Sequence, residues 1–543
     1  MKILQRFGKT PMAVDNLYMD SNSVIYDAVR ELQKAGEIRP IIADNYKPIS
    51  TLVCKKIQEY IDAVRPSNTV YIAFDGVAPL AKMNQQKTRR YRSVFMEKHG
   101  IVSKAAFNSC LITPGTDFME YLSEYTTTHF KKNTHIIVSA ANKPGEGEHK
   151  LFQHIRDNKD AHKGQNTVIY GLDADLLMLS IFHHEYTNLF VYREAPEFAK
   201  SLNADLENGE AYMLDITALC ESVCSEMGCR YNNDTRVYDY AFLCFMLGND
   251  FLPHLPALNI RTNGIFTLLD AYKDTLGNGA NSYIIGADGA IQWANFKKVI
   301  QYLAKQEETL FQTEYKKRGE IRFSTSFSNN GEKEMVFNNT PLLYRQAEHY
   351  INPLERGWRK RYYNALFTPF RIEDAKSATP SPLITAPKVG VLNEKRCKSN
   401  GSMCVENAQR YKESYLVDAI CTNYMEGLEW VYKYYTDSCV DWRWKYDYHY
   451  QPLLADLLST PSKPSFFANK KTIVTPFHPK TQLSYVLPPE YLDVVLPGIT
   501  TKYTEYYQFD GEFEWAFCRY FWEAHLKMVD IPTTHLDMLD AQW

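Results

Sequence analysis

Four short β-branched runs in this chain lead into acidic residues. Asn16–Met19 is followed by Asp20, and Val70–Phe74 by Asp75. His135–Ser139 leads through AANKPG to Glu146 and Glu148, and Thr167–Tyr170 leads through Gly171 and Leu172 to Asp173 and Asp175. A seventh carboxylate, Asp250, follows the apolar run Ala241–Leu247 in GNDFLPH. Asp and Glu are common after strands as turn formers and helix N-caps, so no single position carries weight. Taken together they do. Two carboxylates about 4 Å apart repel by roughly 4 kcal/mol at an effective dielectric of about 20, so a cluster of this size demands counter-charge. An oxygen-rich set without His or Cys at ligand spacing favours hard divalent ions, Mg²⁺ or Mn²⁺, over zinc. Two such ions about 3.5–4 Å apart can activate water and stabilise a leaving oxygen in phosphodiester hydrolysis.

Directly after Asp75 the charge reverses. Between Lys82 and Lys104 there are seven Lys or Arg residues and one acid, Glu97, a local +6 in a protein of net charge -3. On a helix, Lys82, Gln86 and Arg89 share a face, and Arg90 lies four residues on from Gln86. Amide and guanidinium donors converging there suit a phosphate, which Arg binds bidentately. A solvated basic face would give the same composition. The position next to a metal-type acid favours the phosphate pocket.

These side chains need elements that carry them to one place. Strand–helix alternation with continuous apolar strands predicts an α/β fold, a mostly parallel central sheet covered by helices. In such a sheet the carboxyl ends of the strands form one rim, where sites develop. Ser50–Val64, Thr116–Phe130 and Phe296–Phe311 read as helices. The expected division is a catalytic region over 1–317, a polar, Asn-rich linker over 318–350, and a second region over 351–543. A mobile insertion is expected at 372–408, where ATPSPLITAPKVG and KRCKSNGS lie. The second region is aromatic-rich around 424–450.

Composition sets the outer limits. The chain has 543 residues, 45% apolar and 23% charged, so fibrous and disordered classes are out. No stretch reaches the ~18 apolar residues of a membrane helix. The 11 Cys, without a secretory signal at the start, fit reduced thiols in a cytoplasmic setting. Cys220, Cys224 and Cys229 have no His at zinc-ligand spacing and read as thiols on a helix. His149 and His254 read as structural hydrogen-bonding residues, since metal-generated hydroxide needs no His base.

The motif blocks resemble the XRN family of 5′-to-3′ exoribonucleases. They are DNLYMDSNSVIYD (15–27), FDGVAPLAKMNQQKTRRYRS (74–93), PGEGEHKLF (144–152), YGLDADLLML (170–179) and FLCFMLGNDFLPHLPAL (242–258). A second set follows in GWRKRYYNALF (357–367), DWRW (441–444) and TPFHPKTQLSYVLP (475–488). The resemblance implies a PIN/flap-endonuclease-like core with the second region packed on it. It implies processive, Mg²⁺-dependent removal of nucleoside 5′-monophosphates from single-stranded RNA bearing a 5′-monophosphate. Decapping factors are the implied partners, and the chain is expected to act as a monomer. The family's metal-site acids fall on Asp20, Asp75, Glu146, Glu148, Asp173, Asp175 and Asp250. Its phosphate pocket falls on Lys82, Gln86, Arg89 and Arg90.

Departures from the family are local. Tyr26 stands where the family usually has a His that stacks on the first base, and Leu80 replaces a usual Arg. The partner ring is implied to be Trp442 or Trp444. The family's opening Gly-Val/Ile-Pro-x-Phe-Phe segment, which lines the substrate channel, is missing from the start of this chain. The competing functions are a structure-specific DNA flap nuclease on the same fold and a catalytically silent RNA-binding scaffold. The intact acids and the KMNQQKTRRYR block favour the exoribonuclease.

Overall fold

The structure is a computed structural model that describes residues 4–6, 12–39, 42–102, 107–171, 173–194, 210–231, 235–321, 330–367 and 401–543, with backbone alone at 4–6, 330 and 401–414. Most of the expected insertion at 372–408 lies outside these residues, as do residues 1–3 and 7–11 at the start of the chain. Residues 401–408 are not loop but the first turns of the long helix Gly401–Thr436.

A seven-stranded sheet forms the centre. Its strands are β1 (Leu4–Arg6), β2 (Asn16–Asp20), β3 (Thr69–Ala73), β4 (Ile136–Ser139), β5 (Asn166–Tyr170), β6 (Asn188–Glu194) and β7 (Ala211–Asp215), in the order β1-β7-β6-β5-β2-β3-β4. β2 to β6 run parallel, and β7 and β1 add antiparallel pairs at one edge. The four runs read from sequence are β2 to β5, each within about a residue. β1, β6 and β7 extend that expectation.

Alternation along the strands explains the two cores. Tyr18, Tyr71 and Ile169 point to one face, while Leu17, Met19, Val70, Ile72 and Val168 point to the other. The second face is covered by α1 (Asn22–Lys34), α2 (Tyr46–Val64) and α4 (Asp117–Phe130), through residues such as Ile25, Val53 and Phe118. The first face is covered by α5 (Gly147–Asp157) and α7 (Asp175–His183), then by helices of the second region. A short helix, α6 (Lys159–His162), follows α5. Burial on both faces makes the strands nearly continuous apolar runs, as parallel strands require.

The basic segment forms α3 (Leu80–Lys98), which leaves the rim just after β3. Residues of the second region hold it along its length. The Leu80 N–H donates to the Trp442 carbonyl at 3.0 Å, and the Ala78 N–H to Gln482 Oε1 at 2.8 Å. Leu80 and Met83 pack with Leu483, Tyr485 and Val486, and Tyr91 packs with Phe513 and Phe521. A two-stranded ribbon, β8 (Phe513–Glu514) with β9 (His525–Leu526), lies in this clamp.

The expected helix Phe296–Phe311 is two helices, Trp293–Ala304 and Glu307–Glu320. Glu307, fully buried, accepts from the Leu454 N–H and from Arg359, so a tertiary contact fixes a new helix start there. The polar stretch read as linker holds the helices Asn330–Asn338 and Gln346–Ile351. Cys220 and Cys224 lie on the helix Ile216–Glu226 and are buried, with Cys229 just beyond its end.

Candidate active site

The sheet's order turns at β2, which has β3 on one side and β5 on the other. Parallel sheets bind ligands in the crevice beyond the carboxyl ends at such a switch point. Asp20 is the last residue of β2, at that crevice. Asp75 follows β3. Glu146 is the N-cap residue of α5, and Glu148 lies in its first turn. Asp173 and Asp175 stand where β5 passes into α7. Asp250 comes in from a separate segment, after a 3₁₀ turn at Phe245–Leu247 and Gly248, whose φ of 92° suits a residue without Cβ.

These acids crowd one another. A Cβ on Gly147 would lie 2.5 Å from Asp20 Oδ1 and 3.4 Å from Asp75 Oδ1, so only glycine lets the start of α5 approach them. The Gly147 N–H donates to Asp75 Oδ1 at 2.7 Å. Asn22 Nδ2 donates to the other Asp75 oxygen, while Asn22 Oδ1 accepts from the Asp75 N–H. Lys82 Nζ lies 2.6 Å from Glu146 Oε2, 2.7 Å from Asp250 Oδ2 and 4.0 Å from Glu148 Oε1. The Tyr434 hydroxyl donates to Glu146 Oε1 at 2.8 Å.

Burial and like charge raise the carboxyls. Burial, then Asp75 and Asp173, pushes Asp20 up to about 8. Burial, with Asp250 and Asp173 adding to it against Lys82, pushes Asp175 up to about 7. Burial also raises Glu146 and carries Glu148 well above the carboxylate range. Burial opposes the charge on Lys82, but Glu146, Asp250 and Glu148 outweigh it and hold the ammonium charged. One ammonium cannot neutralise so many acids. Asp20 Oδ1 is buried without a hydrogen-bond partner. An orphaned carboxylate oxygen among raised acids is a fitting environment for a divalent cation. Among the described residues, ligand atoms of Glu146, Glu148 and His149 also lie within 4.8 Å of one another.

The phosphate-pocket residues split by burial. Gln86 and Arg90 are buried and Arg89 is exposed. Arg90 Nη2 donates to Thr113 Oγ1 at 2.8 Å, and its Nη1 faces Gln86 Oε1 at 3.4 Å. Burial, with Arg89 adding, holds the Arg90 guanidinium below its ordinary value. Cys110, Tyr26 and Asp75 act on Arg90 in the opposite sense.

Tyr26 is half-buried on α1 and lines a cavity of about 410 Å³ with Ser23, Arg30, Gln33, Phe107 and Ile112. Of the two tryptophans, Trp444 belongs to the core. It is buried, stacks on Trp430 with ring centres 5.1 Å apart, and lies close over Gly427. Trp442 is half-buried, and its carbonyl holds the start of α3. Nε2 is buried without a partner in both His149 and His254. The His149 ring stacks on Tyr434 at 3.7 Å and also hydrogen-bonds to the Tyr434 backbone.

Several contributors were not singled out by sequence. Asn22 lies two residues after Asp20, and Lys150 two after Glu148, so both sat inside motifs already in hand. Lys150 Nζ donates to the carbonyls of Phe74 at 2.7 Å and Ala140 at 3.1 Å, tying the ends of β3 and β4 together. Tyr434 had no such signal, standing among many aromatics.

An acid-lined crevice at the switch point of a parallel sheet, with a basic helix running from it, defines a nuclease-type α/β centre. Residues 2–195 match the family described as XRN 5'-3' exonuclease N-terminus, and residues 230–352 and 406–498 match the Xrn1 helical domain. This chain belongs to the XRN family. It is 27% identical to 5'-3' exoribonuclease 2 of Neurospora crassa, over 95% of this chain and 63% of that one. It is 27% identical to 5'-3' exoribonuclease 1 of Schizosaccharomyces pombe, over 87% of this chain and 42% of that one. With the Saccharomyces cerevisiae 5'-3' exoribonuclease 1 the identity is 26%, over 89% and 38%. The chain thus spans less than two thirds of the length of each of these relatives.

Proposed function

We propose that this chain is a processive 5′-to-3′ exoribonuclease that hydrolyses 5′-monophosphorylated, decapped RNA to nucleoside 5′-monophosphates. The observation that carries this is the continuity of α3 with the acid crevice. Lys82 touches the acids, and Gln86 and Arg90 lie one and two turns further along the same helix. Substrate phosphate held by Lys82, Gln86, Arg89 and Arg90 is thereby set at a fixed distance from the carboxylates. Fixing that distance selects the phosphodiester to be cleaved. These donors, fixed on one helix, accommodate one phosphate group, and a triphosphate or cap has bulk and charge they leave unmatched.

Asp20, Asp75, Glu146, Glu148, Asp173, Asp175 and Asp250 would hold the metal, as two Mg²⁺ or Mn²⁺ ions. When bound, these ions supply an activated water and neutralise charge at the scissile phosphodiester. Asn22 and the Gly147 N–H orient Asp75 for that role, and Lys150 fixes the strand ends behind it. Tyr26, beside its cavity, stacks on the first base, with Trp442 rather than the core-bound Trp444 as the opposing ring. We place the enzyme in the cytoplasm as a monomer, supplied with substrate by decapping factors.

The test uses end-labelled RNAs of one sequence carrying a 5′-monophosphate, a triphosphate or a cap, with a flap DNA alongside, all in Mg²⁺. The expected outcome is release of mononucleotides from the monophosphorylated RNA at least about tenfold faster than from the other substrates. Equal degradation of the three RNAs would remove the selectivity. Faster cleavage of the flap DNA, or products other than mononucleotides, would overturn the function.

A further inference from the structure

We propose that Tyr434 is a positioning residue of the acid site, whose hydroxyl sets which oxygen of Glu146 is offered to a cation. Glu146 is 3% exposed and both its oxygens are engaged. Oε1 accepts from the Tyr434 hydroxyl at 2.8 Å, and Oε2 pairs with Lys82 at 2.6 Å. The two partners differ in kind. Lys82 sits on a flexible four-carbon stem and also pairs with Asp250, so it has another carboxylate to hold when it leaves Glu146. Tyr434 is fixed on every side. Its ring stacks on His149 at 3.7 Å and on Trp430 at 4.9 Å, and meets Phe251 edge-on at 5.7 Å.

A ring so enclosed keeps its hydroxyl in place while the ammonium exchanges with a divalent ion. With Oε1 held by Tyr434, Oε2 would be the oxygen left for a cation. The helix Gly401–Thr436 therefore contributes to the acid site itself, beyond covering it. Partners that orient a ligand in this way commonly account for 10–100-fold in metal affinity or activity. This inference rests on the proposed metal-site role of Glu146. It is read by metal binding, and so does not depend on which nucleic acid the enzyme cleaves.

The experiment is Mn²⁺ titration by calorimetry on the RNA-free protein and its Tyr434→Phe variant. The variant is expected to bind Mn²⁺ about tenfold more weakly. It is also expected to require more Mg²⁺ for half-maximal cleavage and to keep its affinity for a 5′-monophosphorylated oligonucleotide in EDTA. Tyr424→Phe is the control. Tyr424 lies on the same helix, fully buried, and its hydroxyl has no partner, so Mn²⁺ affinity should stay as in the parent. A general loosening of the helix is separated from positioning by adding Tyr434→Phe to Glu146→Gln. The second change should then cost no further Mn²⁺ affinity. Unchanged Mn²⁺ affinity in Tyr434→Phe, or an equal loss with Glu146 intact and replaced, would overturn the proposal. If the parent binds Mn²⁺ and the variant does not, yet no RNA is cleaved, the positioning role stands and the proposed activity falls.

Discussion

Crowding at Gly147 decides how closely the acids can gather. The start of α5 passes so near Asp20 and Asp75 that one added methyl would meet Asp20 Oδ1 at 2.5 Å. The obstacle is a carboxylate held in the crevice, and Asp75 is already tied by the Gly147 N–H and by Asn22. Gly147→Ala must therefore push Asp20 aside or move the helix that carries Glu146 and Glu148. A displacement near 1 Å at reacting groups costs about a hundredfold in rate. The expected outcome is a loss of about that size in cleavage of monophosphorylated RNA, with far-ultraviolet circular dichroism unchanged. Affinity for a phosphorylated oligonucleotide in EDTA should hold, because Gln86 and Arg90 lie on α3 and not on α5. Activity within a few-fold of the parent would show that the crevice has slack the geometry denies.

At the scale of elements, sequence revealed those whose apolar pattern is set by local burial. β2 to β5 are buried on both faces and announce themselves as β-branched runs. β6, whose burial lapses at Asn188, Arg193 and Glu194, gave no such run, and the short β7 owes its place to antiparallel pairing with β6. The acids were legible because each follows a legible strand. Tyr434 was not, since nothing local separates it from the rings around it. Tertiary contacts were equally hidden, as in the Asn-rich stretch read as linker. Glu348, in the helix Gln346–Ile351, is fully buried and accepts from Arg318 at 2.6 Å, from Arg345, and from the Phe517 N–H at 2.9 Å. It joins three separate segments. Removing one partner of a buried ion pair leaves uncompensated charge and costs about 3–5 kcal/mol. Glu348→Ala should lower unfolding free energy in urea by that amount, with two guanidinium groups left facing each other. A change under about 1 kcal/mol, the range of surface pairs, would mean that water replaces the carboxylate there.

Across the whole molecule, a net charge of -3 conceals a separation of charge. The acids occupy the rim of the sheet, the basic residues run along α3, and the second region clamps that helix in place through Trp442, Gln482 and the Tyr91 cluster. Under the proposed function, a cation offsets the crowding of these enclosed acids. Without one, burial and neighbouring carboxylates hold Asp20 at about 8 and Asp175 at about 7. Both lie above the ordinary value of about 4, so the metal-free fold keeps protons that the unfolded chain releases. Their contribution to stability is complete below about pH 4 and is lost as pH rises through about 7 and 8. A divalent ion takes over from those protons and should stabilise the fold most where they have left. In EDTA the thermal midpoint should therefore fall from about pH 4 to about pH 8, and the gain on adding Mg²⁺ should grow over the same interval. Asp20→Asn removes one of the raised carboxyls, and should flatten the EDTA curve and shrink the Mg²⁺ gain at the alkaline end. Parallel curves with and without Mg²⁺ would mean that the ion binds elsewhere, and that the crowding of these acids is balanced within the protein by Lys82 and Lys150.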